Sequence, residues 1–191
     1  MVTAIGISGS ARKGGNSETL MAAVLEGTAA EGAATETVRL NELTHRGCQG
    51  CDACVKTGKC VIHDLDDVHA RMRNAEIWVL ASPVYYDSVN GQMKLFFDRL
   101  RPFSKVEKLS GRRAGLVVLT YEDKQRDDYT RTAEVLAGYL SWFGTFDPAR
   151  TFCVPELSGP RDASKRPELL ARAREIGREL VRALAGTTPA E

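Results

Sequence analysis

Four of the chain's five cysteines lie in one short stretch, GCQGCDACVKTGKC at residues 47–60, which we call the cysteine segment. Thiolate side chains can ligate iron or zinc, attack electrophiles or exchange with disulfides. Spacings of two residues let thiolates converge on one compact centre, and the neighbouring glycines let the backbone turn tightly around it. The candidate ligands, in the spacing C-x2-C-x2-C-x5-C, are Cys48, Cys51, Cys54 and Cys60.

Four interpretations of the cysteine segment are open. A [4Fe–4S] cluster is favoured, because bacterial ferredoxin motifs begin with the same two intervals. The longer last interval, and Val61 in place of proline, show that the segment is not itself a ferredoxin module. The other interpretations are metal-free thiols acting as a redox-active C-x2-C pair, a structural Zn²⁺ and structural disulfides. Zinc sites usually pair two such units across a longer gap, and an odd number of cysteines counts against a disulfide framework.

The composition is that of a globular protein with no bulk attraction to nucleic acid or to membranes. The 191 residues suffice for one hydrophobic core, and the net charge is +1. No stretch approaches the roughly 20 apolar residues that a membrane span requires, and the first residues lack the pattern of a secretion signal. We therefore expect a cytoplasmic protein without nucleic-acid or membrane partners. In such a reducing compartment, clustered cysteines indicate metal or redox chemistry.

Apolar runs of strand type alternate with stretches of helical periodicity along the chain. The order β-α-β-α-β-α-β-α-β-α predicts an α/β fold, with a parallel sheet and helices on both faces. Five strands favour a flavodoxin-like three-layer sandwich with strand order 2-1-3-4-5, built as a single domain over residues 1–191 with a cysteine-rich loop at 44–63. The predicted strands are 2–8, 35–40, 76–82, 113–121 and 149–154, and the predicted helices are 17–32, 64–75, 91–103, 128–144 and 167–186.

Ligands of such sheets bind beyond the carboxyl ends of the strands, which places the loops 8–17, 82–90 and 120–128 around the candidate site. The first loop, SGSARKGGNSE, is rich in serine and glycine and opens a helix. Backbone N–H groups, a helix N-terminus, hydroxyl groups and Arg12 could together bind a phosphate. The alternative is an ordinary strand-to-helix turn with a serine cap. The loop fits neither the dinucleotide-binding G-x-G-x-x-G motif nor a P-loop.

The second loop, SPVYYDSVN, places two tyrosines directly after a buried strand. The flat faces of Tyr85 and Tyr86 suit stacking against a planar ring, and Pro83 fixes the backbone beside them. The alternative is that the tyrosines only cap the core. The following helix carries three charges that we expect to be surface groups or subunit contacts rather than catalytic residues: Lys94, Asp98 and Arg99.

Both loops resemble one known family. GSARKGGNSETL is similar to the G-S-x-R-x-x-G-N-S/T-x-x-L signature of NAD(P)H-dependent FMN reductases and iron–sulfur flavoproteins of the flavodoxin superfamily. SPVYYDSVNGQMKLFFDRL, at 82–100, is similar to their S-P-V-Y-Y/F-x-S-V-S/N-x-Q-M/L-K-x-F-x-D-R signature. The cysteine segment also resembles the compact cysteine motif that iron–sulfur flavoproteins carry after their second strand. The resemblance covers residues 2–120.

The resemblance implies roles for particular residues. The first loop would hold the FMN phosphate, the second would surround the isoalloxazine ring, and the start of the third would touch that ring. The third loop is charged and glycine-free here, unlike the glycine-rich loop common in the family, so access for substrates is expected to differ. The residues implied to bind FMN are Ser10, Arg12, Asn16, Ser17, Pro83, Val84, Tyr85, Tyr86, Thr120 and Tyr121, and the metal ligands would be the four clustered cysteines.

The function implied by the resemblance is that of an enzyme, an NAD(P)H-dependent FMN oxidoreductase of the iron–sulfur flavoprotein type. Electrons would pass from NAD(P)H or a reduced carrier through FMN, and through a [4Fe–4S] cluster, to a small acceptor such as a quinone, a flavin or a nitroaromatic compound. The flavin carries the chemistry, so no catalytic side chain is expected. Family members often form homodimers or homotetramers, and the same is expected here.

Two other functions stay open. One is an electron carrier that ferredoxin reduces and that has no substrate of its own. The other is a cluster-free thiol redox sensor, or a zinc-stabilised interaction module, that has kept the fold. Of the three histidines, His45 and His63 flank the cysteine segment as solvated groups that could ligate a metal, and His69 is expected on the surface of a helix. Cys153 is expected to be a core residue.

Overall fold

A computed structural model describes residues 1–105, 108–124 and 127–186 of the chain. Residues 125 and 126 of the predicted third loop, and the last five residues of the predicted domain, lie outside this range. The strands are β1 (Thr3–Ser8), β2 (Ala34–Arg39), β3 (Ile77–Tyr85), β4 (Ser88–Val89), β5 (Leu109–Thr120) and β6 (Gly144–Val154). The helices are α1 (Asn16–Ala30), α2 (Ala53–Thr57), α3 (Asp66–Asn74), α4 (Gly91–Asp98), α5 (Pro102–Lys105), α6 (Asp127–Phe143) and α7 (Pro167–Leu184).

The sheet is built from five parallel strands in the order β2-β1-β3-β5-β6. Strand β4 is a short addition that pairs antiparallel with the end of β3. With β4 set aside, the order is the predicted 2-1-3-4-5, and the flavodoxin-like fold is confirmed. One apolar core lies between the sheet and helices α3, α4 and α6, and a second lies between the sheet and helices α1 and α7.

Several boundaries differ from the predicted ones for reasons that depend on tertiary structure. Strands β5 and β6 begin earlier than predicted, because Leu109 pairs with Gly144 and Arg113 with Phe146 before the apolar part of either strand. The charged residues there do not have the pattern of a buried strand. The predicted helix 91–103 is divided into α4 and α5, since Pro102 cannot donate the backbone hydrogen bond that a continuous helix would need.

Helices α1 and α7 approach each other so closely that only glycine fits at their crossing. A Cβ atom at Gly177 would lie 2.0 Å from the carbonyl oxygen of Val24, and one at Gly27 would lie 1.9 Å from the carbonyl oxygen of Arg174. Both distances are far below any real carbon–oxygen contact, so the two backbones touch directly. This contact fixes the position of α1, whose first turn borders the candidate site.

None of the helices in the described part of the chain combines the length and the apolar character that crossing a bilayer requires.

Candidate functional site

A cleft of about 480 Å³ lies at the carboxyl ends of the strands, where the parallel sheet predicts a ligand site. This volume is within the range of small-molecule sites. The structure brings together on its lining all ten residues that the sequence analysis proposed for FMN: Ser10, Arg12, Asn16, Ser17, Pro83, Val84, Tyr85, Tyr86, Thr120 and Tyr121. Their roles toward a bound cofactor stay predictions, but their convergence on one cleft is a property of the fold.

The first loop is a closed turn that leaves the N-terminus of α1 open. The Ser10 hydroxyl donates to the carbonyl of Arg12 (2.7 Å) and accepts from its N–H (3.1 Å). The N–H of Gly15 also donates to the carbonyl of Arg12 at 3.0 Å. A Cβ atom at Gly15 would lie 2.6 Å from the Ser10 oxygen, so the turn requires glycine there. Glu18, on the first turn of α1, supports the loop from below, where it accepts hydrogen bonds from the N–H of Gly14 and from the Arg39 side chain.

Ser17 provides the local test of whether this cleft fits a phosphate. Its side chain is 1 % exposed, and its hydroxyl has no hydrogen-bond partner among the described residues. A buried hydroxyl without a partner is costly, and this one lies in the first turn of α1 and lines the cleft. A helix N-terminus attracts anions, and Arg12 adds a positive charge at the same end. These groups fit the phosphate of FMN in type and position.

Asn16 lines the cleft, but its side-chain amide is already hydrogen-bonded to the backbone of another loop. Its amide nitrogen donates to the carbonyls of Leu157 (3.3 Å) and Gly159 (3.0 Å), and its amide oxygen accepts from the N–H of Ala163 at 3.0 Å. The side chain thereby ties the loop between β6 and α7 to the start of α1. Its contribution to the cleft is the position of that loop.

The second loop is a tight hairpin that presents two aromatic rings. Val84 and Tyr85 pair with β4, and the two residues of the turn, Tyr86 and Asp87, have φ values of 50° and 60°. Positive φ at both positions is the condition for a two-residue turn of type I′; aspartate tolerates it, whereas it is strained for a bulky residue such as tyrosine. Tyr86 is fully exposed and Tyr85 is half exposed. The alternative that these tyrosines cap the core is therefore wrong.

Asn90 is a positioning residue that the sequence analysis missed. It is fully buried, and its side chain donates to the carbonyl of Gly9 in the first loop and accepts from the Ser82 hydroxyl at 3.1 Å in the second. It also caps α4 by accepting from the N–H of Met93 at 3.3 Å. One amide thus joins the two loops that carry most of the cleft. An asparagine just before a predicted helix was the available signal.

The remaining sides of the cleft come from the third loop and from the segment between the predicted strand 149–154 and the predicted helix 167–186. Tyr121 is buried and packs edge-on against Tyr129 with ring centroids 4.6 Å apart, and the Tyr129 hydroxyl donates to Asp123 at 2.9 Å. Residues 157–160, which follow β6, contribute Leu157, Ser158 and Pro160; we call them the C-terminal wall. The other lining residues not predicted are Gly15, Asp87, Glu122, Asp123 and Tyr129.

The cysteine segment surrounds a second, smaller cavity of about 90 Å³ that all four of its thiols line. Cys48 and Cys51 are exposed, Cys60 is half-buried and Cys54 is buried. Burial raises the pKa of Cys54; the positive charge of Arg101 opposes this change, and the other three thiols add to it. Within the described ranges, no three histidine, cysteine, aspartate or glutamate side chains stand close enough together to hold a metal ion. Four cysteine thiols are the right type and number of ligands for an iron–sulfur cluster. In this structure, however, the four thiols are not close enough together to bind one metal centre.

The histidines differ in their surroundings. His63 is exposed and its Nδ1 lies 2.7 Å from an Asp66 oxygen. Both ring nitrogens of His45 are buried without a hydrogen-bond partner in the described residues, so the expectation of a solvated ring is wrong for His45. His69 was expected at the surface, and this is also wrong: it is 8 % exposed and packs edge-on against Phe103. Burial, and then the positive charge of Arg99, lower the pKa of His69 to about 4.

Residues 2–156 match the family of NADPH-dependent FMN reductases. The chain belongs to this family. The resemblance noted in the sequence is thereby confirmed. All ten predicted residues of the cleft lie within the matched range of this FMN reductase family member, and of the lining residues three lie beyond it: Leu157, Ser158 and Pro160.

Curated relatives of this FMN reductase family member include archaeal proteins described as iron–sulfur flavoproteins. One from Methanocaldococcus jannaschii is 38% identical over 116 residues, which is 60% of this chain and 60% of the relative. One from Archaeoglobus fulgidus is 36% identical over 117 residues, covering 61% of this chain and 53% of the relative. One from Methanosarcina thermophila is 40% identical over 95 residues, covering 49% of this chain and 50% of the relative. The matches thus span half to three-fifths of each relative's length.

Solved structures with the same fold are more distant in sequence. An NAD(P)H:quinone oxidoreductase from Methanothermobacter marburgensis superposes with a TM-score of 0.71 at 18% identity, covering 94% of this chain and 97% of that one. A flavodoxin from the domain Archaea superposes with a TM-score of 0.60 at 13% identity, covering 96% and 99%. At these identities the likeness supports the flavodoxin-like fold of this FMN reductase family member and nothing finer.

Proposed function

We propose that the protein is an FMN-dependent oxidoreductase of the iron–sulfur flavoprotein type. It would accept electrons from NAD(P)H or a reduced carrier and pass them to a small acceptor such as a quinone, a flavin or a nitroaromatic compound. The observation that carries the proposal is the cleft, whose lining combines two exposed tyrosines with a buried hydroxyl at a helix N-terminus that has no partner among the described residues. Membership of the FMN reductase family supports it.

The residues of the chain would bind and orient the cofactor rather than react. Arg12, the Ser17 hydroxyl and the N–H groups of the first turn of α1 would bind the phosphate. Tyr85 and Tyr86 would cover the ring, and the backbone around Pro83 would meet its polar edge. FMN, when bound, supplies hydride and single-electron chemistry, so no side chain has to act as a nucleophile.

The four clustered cysteines would hold a [4Fe–4S] cluster. Their number and type suit such a cluster, they line one cavity, and the archaeal relatives at 36–40% identity are described as iron–sulfur flavoproteins. The segment would have to draw its thiols together when the cluster is assembled, since they do not converge in the described structure.

The test of the proposed function is anaerobic purification followed by assays of flavin, iron and acid-labile sulfide on one sample. Flavin with about four iron and four sulfide per chain would support both cofactors, as expected for a cluster with four thiolate ligands. Flavin without iron would leave an FMN reductase and would overturn the cluster. Absence of flavin would overturn the proposed function itself.

Replacing Ser17 with alanine is expected to weaken FMN binding about tenfold, because the buried hydroxyl would lose the phosphate as its partner. The same change should not lower the free energy of unfolding of the FMN-free protein, since in that state it removes an unsatisfied polar group. Fluorescence titration of FMN into the apoprotein measures the first effect, and urea unfolding measures the second. Ser141→Ala, on the exposed face of α6, is the matched control. Wild-type affinity in S17A would show that the phosphate binds elsewhere.

An electron carrier without a substrate of its own is a second candidate, and the reactivity of the bound flavin distinguishes it from the first. An oxidoreductase should be reduced directly by NAD(P)H and reoxidised by a small acceptor over many turnovers. A carrier should be reduced rapidly by ferredoxin and only slowly by NAD(P)H. Stopped-flow absorbance with each donor in turn separates the two.

A further inference from the structure

One buried side chain holds both ends of the cysteine segment. Arg99 follows α4 and is 1 % exposed, although the sequence analysis expected a surface charge there. Its Nη1 donates to the carbonyl of Arg46 at 2.7 Å, and Arg46 precedes the first cysteine of the segment. Its Nη2 donates to the carbonyl of Ile62 at 2.5 Å and to the carboxylate of Asp64 at 2.9 Å, both of which follow the last cysteine. The entry and the exit of the segment are therefore fixed to one guanidinium group.

Asp64 completes this arrangement from the other side. Its carboxylate accepts from Arg99 and also from the N–H of Arg46 at 2.9 Å. Burial alone would raise the pKa of Asp64, but the hydrogen bonds from Arg46 and Arg99 outweigh burial and lower it. The carboxylate is thus ionised at neutral pH, and its charge balances that of the buried guanidinium. A buried charge with such partners is strongly destabilised when they are removed.

The same helix connects this arrangement to the cleft. Asn90, at the start of α4, joins the first and second loops of the cleft, and Arg99, at the end of α4, joins the two ends of the cysteine segment. The helix between them has 8 residues, so both attachments belong to one secondary-structure element. By contrast, the two charges on its exposed side, Lys94 and Asp98, pair with each other at 2.8 Å.

We infer that Arg99 is a positioning residue that fixes the cysteine segment relative to the FMN cleft. Calling the segment a cofactor centre rests on the proposed function, whereas the attachment of its ends does not. Arginine suits this task because its planar group offers donors in fixed directions to two carbonyls and a carboxylate at once. Lysine would keep the charge but could not reproduce this set of bonds.

Thiol labelling of the metal-free, reduced protein tests the inference without any cluster. Cys54 is buried and should label slowly in the wild type, whereas Cys48 and Cys51 are exposed and should label at once. In Arg99→Met, Cys54 should label about tenfold faster or more. The wild-type hydrogen bonds from the charged Arg99 side chain stabilise the closed segment, and this variant lacks them. Mass spectrometry after peptide digestion reads each thiol separately. Lys94→Met, which removes a charge from the same helix, is the matched control and should label like the wild type.

Cys153 reports whether the effect is local. It lies on β6, away from the cysteine segment, is half-buried, and has a pKa raised by burial to about 11. Its labelling rate should be unchanged in Arg99→Met. An equal acceleration at Cys153 would mean general destabilisation and would overturn the inference, as would wild-type labelling of Cys54. Arg99→Lys should resemble Arg99→Met; if it matched the wild type, charge rather than geometry would hold the segment, and the inference would also fail.

Iron and sulfide assays on the same variants after anaerobic preparation separate this inference from the proposed function. If the wild type holds a cluster, Arg99→Met should hold less iron per chain at unchanged FMN content and should shift the reduction potential of the iron that remains. If the wild type holds no iron, the cluster is wrong, and the labelling result still decides the position of the segment.

Discussion

Between pH 6.5 and pH 4 the protein is expected to lose about 3 kcal/mol of its free energy of unfolding through His69 alone. The folded-state pKa of His69 is lowered to about 4 from an ordinary value of 6.5, first by burial and then by the positive charge of Arg99. Below pH 6.5 the unfolded chain takes up a proton at this residue and the folded chain does not, so unfolding becomes more favourable as the pH falls. Below pH 4 both states are protonated and no further loss is expected from this group.

Substitution of His69 by leucine should remove this part of the pH dependence. Leucine suits the apolar site beside Phe103, and the change also removes a buried Nε2 that has no hydrogen-bond partner in the described part of the chain. The measurement is urea unfolding of both proteins at intervals from pH 4.5 to 7.5. Ser141→Ala, a substitution of a non-titrating residue on the exposed face of α6, is the control and should leave the profile of the wild type. If His69→Leu followed the wild-type profile, the acid sensitivity would come from other groups.

Substitution of Gly177 by alanine is expected to lower the free energy of unfolding by about 3 kcal/mol. The new methyl group would lie 2.0 Å from the carbonyl oxygen of Val24 and 2.9 Å from the backbone nitrogen of Thr28. Both are backbone atoms of a packed helix, so relief requires α1 and α7 to move apart. For a domain of this size the loss corresponds to a fall in melting temperature of roughly 6–12 °C.

Gly138→Ala is the matched control, because Gly138 also lies within a helix but a Cβ atom there would meet nothing within 4 Å. That change should stabilise the protein by about 0.5–1 kcal/mol, as alanine favours helix more than glycine does. Calorimetry of the three proteins in one buffer compares the effects. Equal stability of Gly177→Ala and the wild type would contradict the close approach of the two helices.

The sequence predicts the fold and most of the cleft because both follow from local patterns. Alternating strands and helices specify a parallel sheet, and the carboxyl ends of its strands determine which loops meet. The two long motifs then identify the residues of those loops. The cysteine spacing identifies four candidate ligands, but whether their sulfur atoms converge depends on how the segment is closed, and spacing does not show this.

The side chains that the sequence analysis misjudged are held by distant parts of the chain. Arg99 has the pattern of a surface charge, and its burial depends on carbonyl groups before and after the cysteine segment. His69 could have been recognised: together with the apolar residues Leu65, Val68 and Met72 it has the spacing i, i+3, i+4, i+7 of a buried helix face. Considered alone, a histidine predicts an exposed position; considered with its apolar neighbours at helical spacing, it predicts a buried one.

The C-terminal wall has a consequence for what can be inherited from relatives. The match to the family ends at residue 156, and the wall begins at Leu157, where the amide of Asn16 holds it against the cleft. The matched part of the chain therefore supplies most of the cleft, and residues beyond the match supply one side of it. Under the proposed function, an acceptor that enters the cleft beside FMN would contact a wall whose residues the family match does not cover.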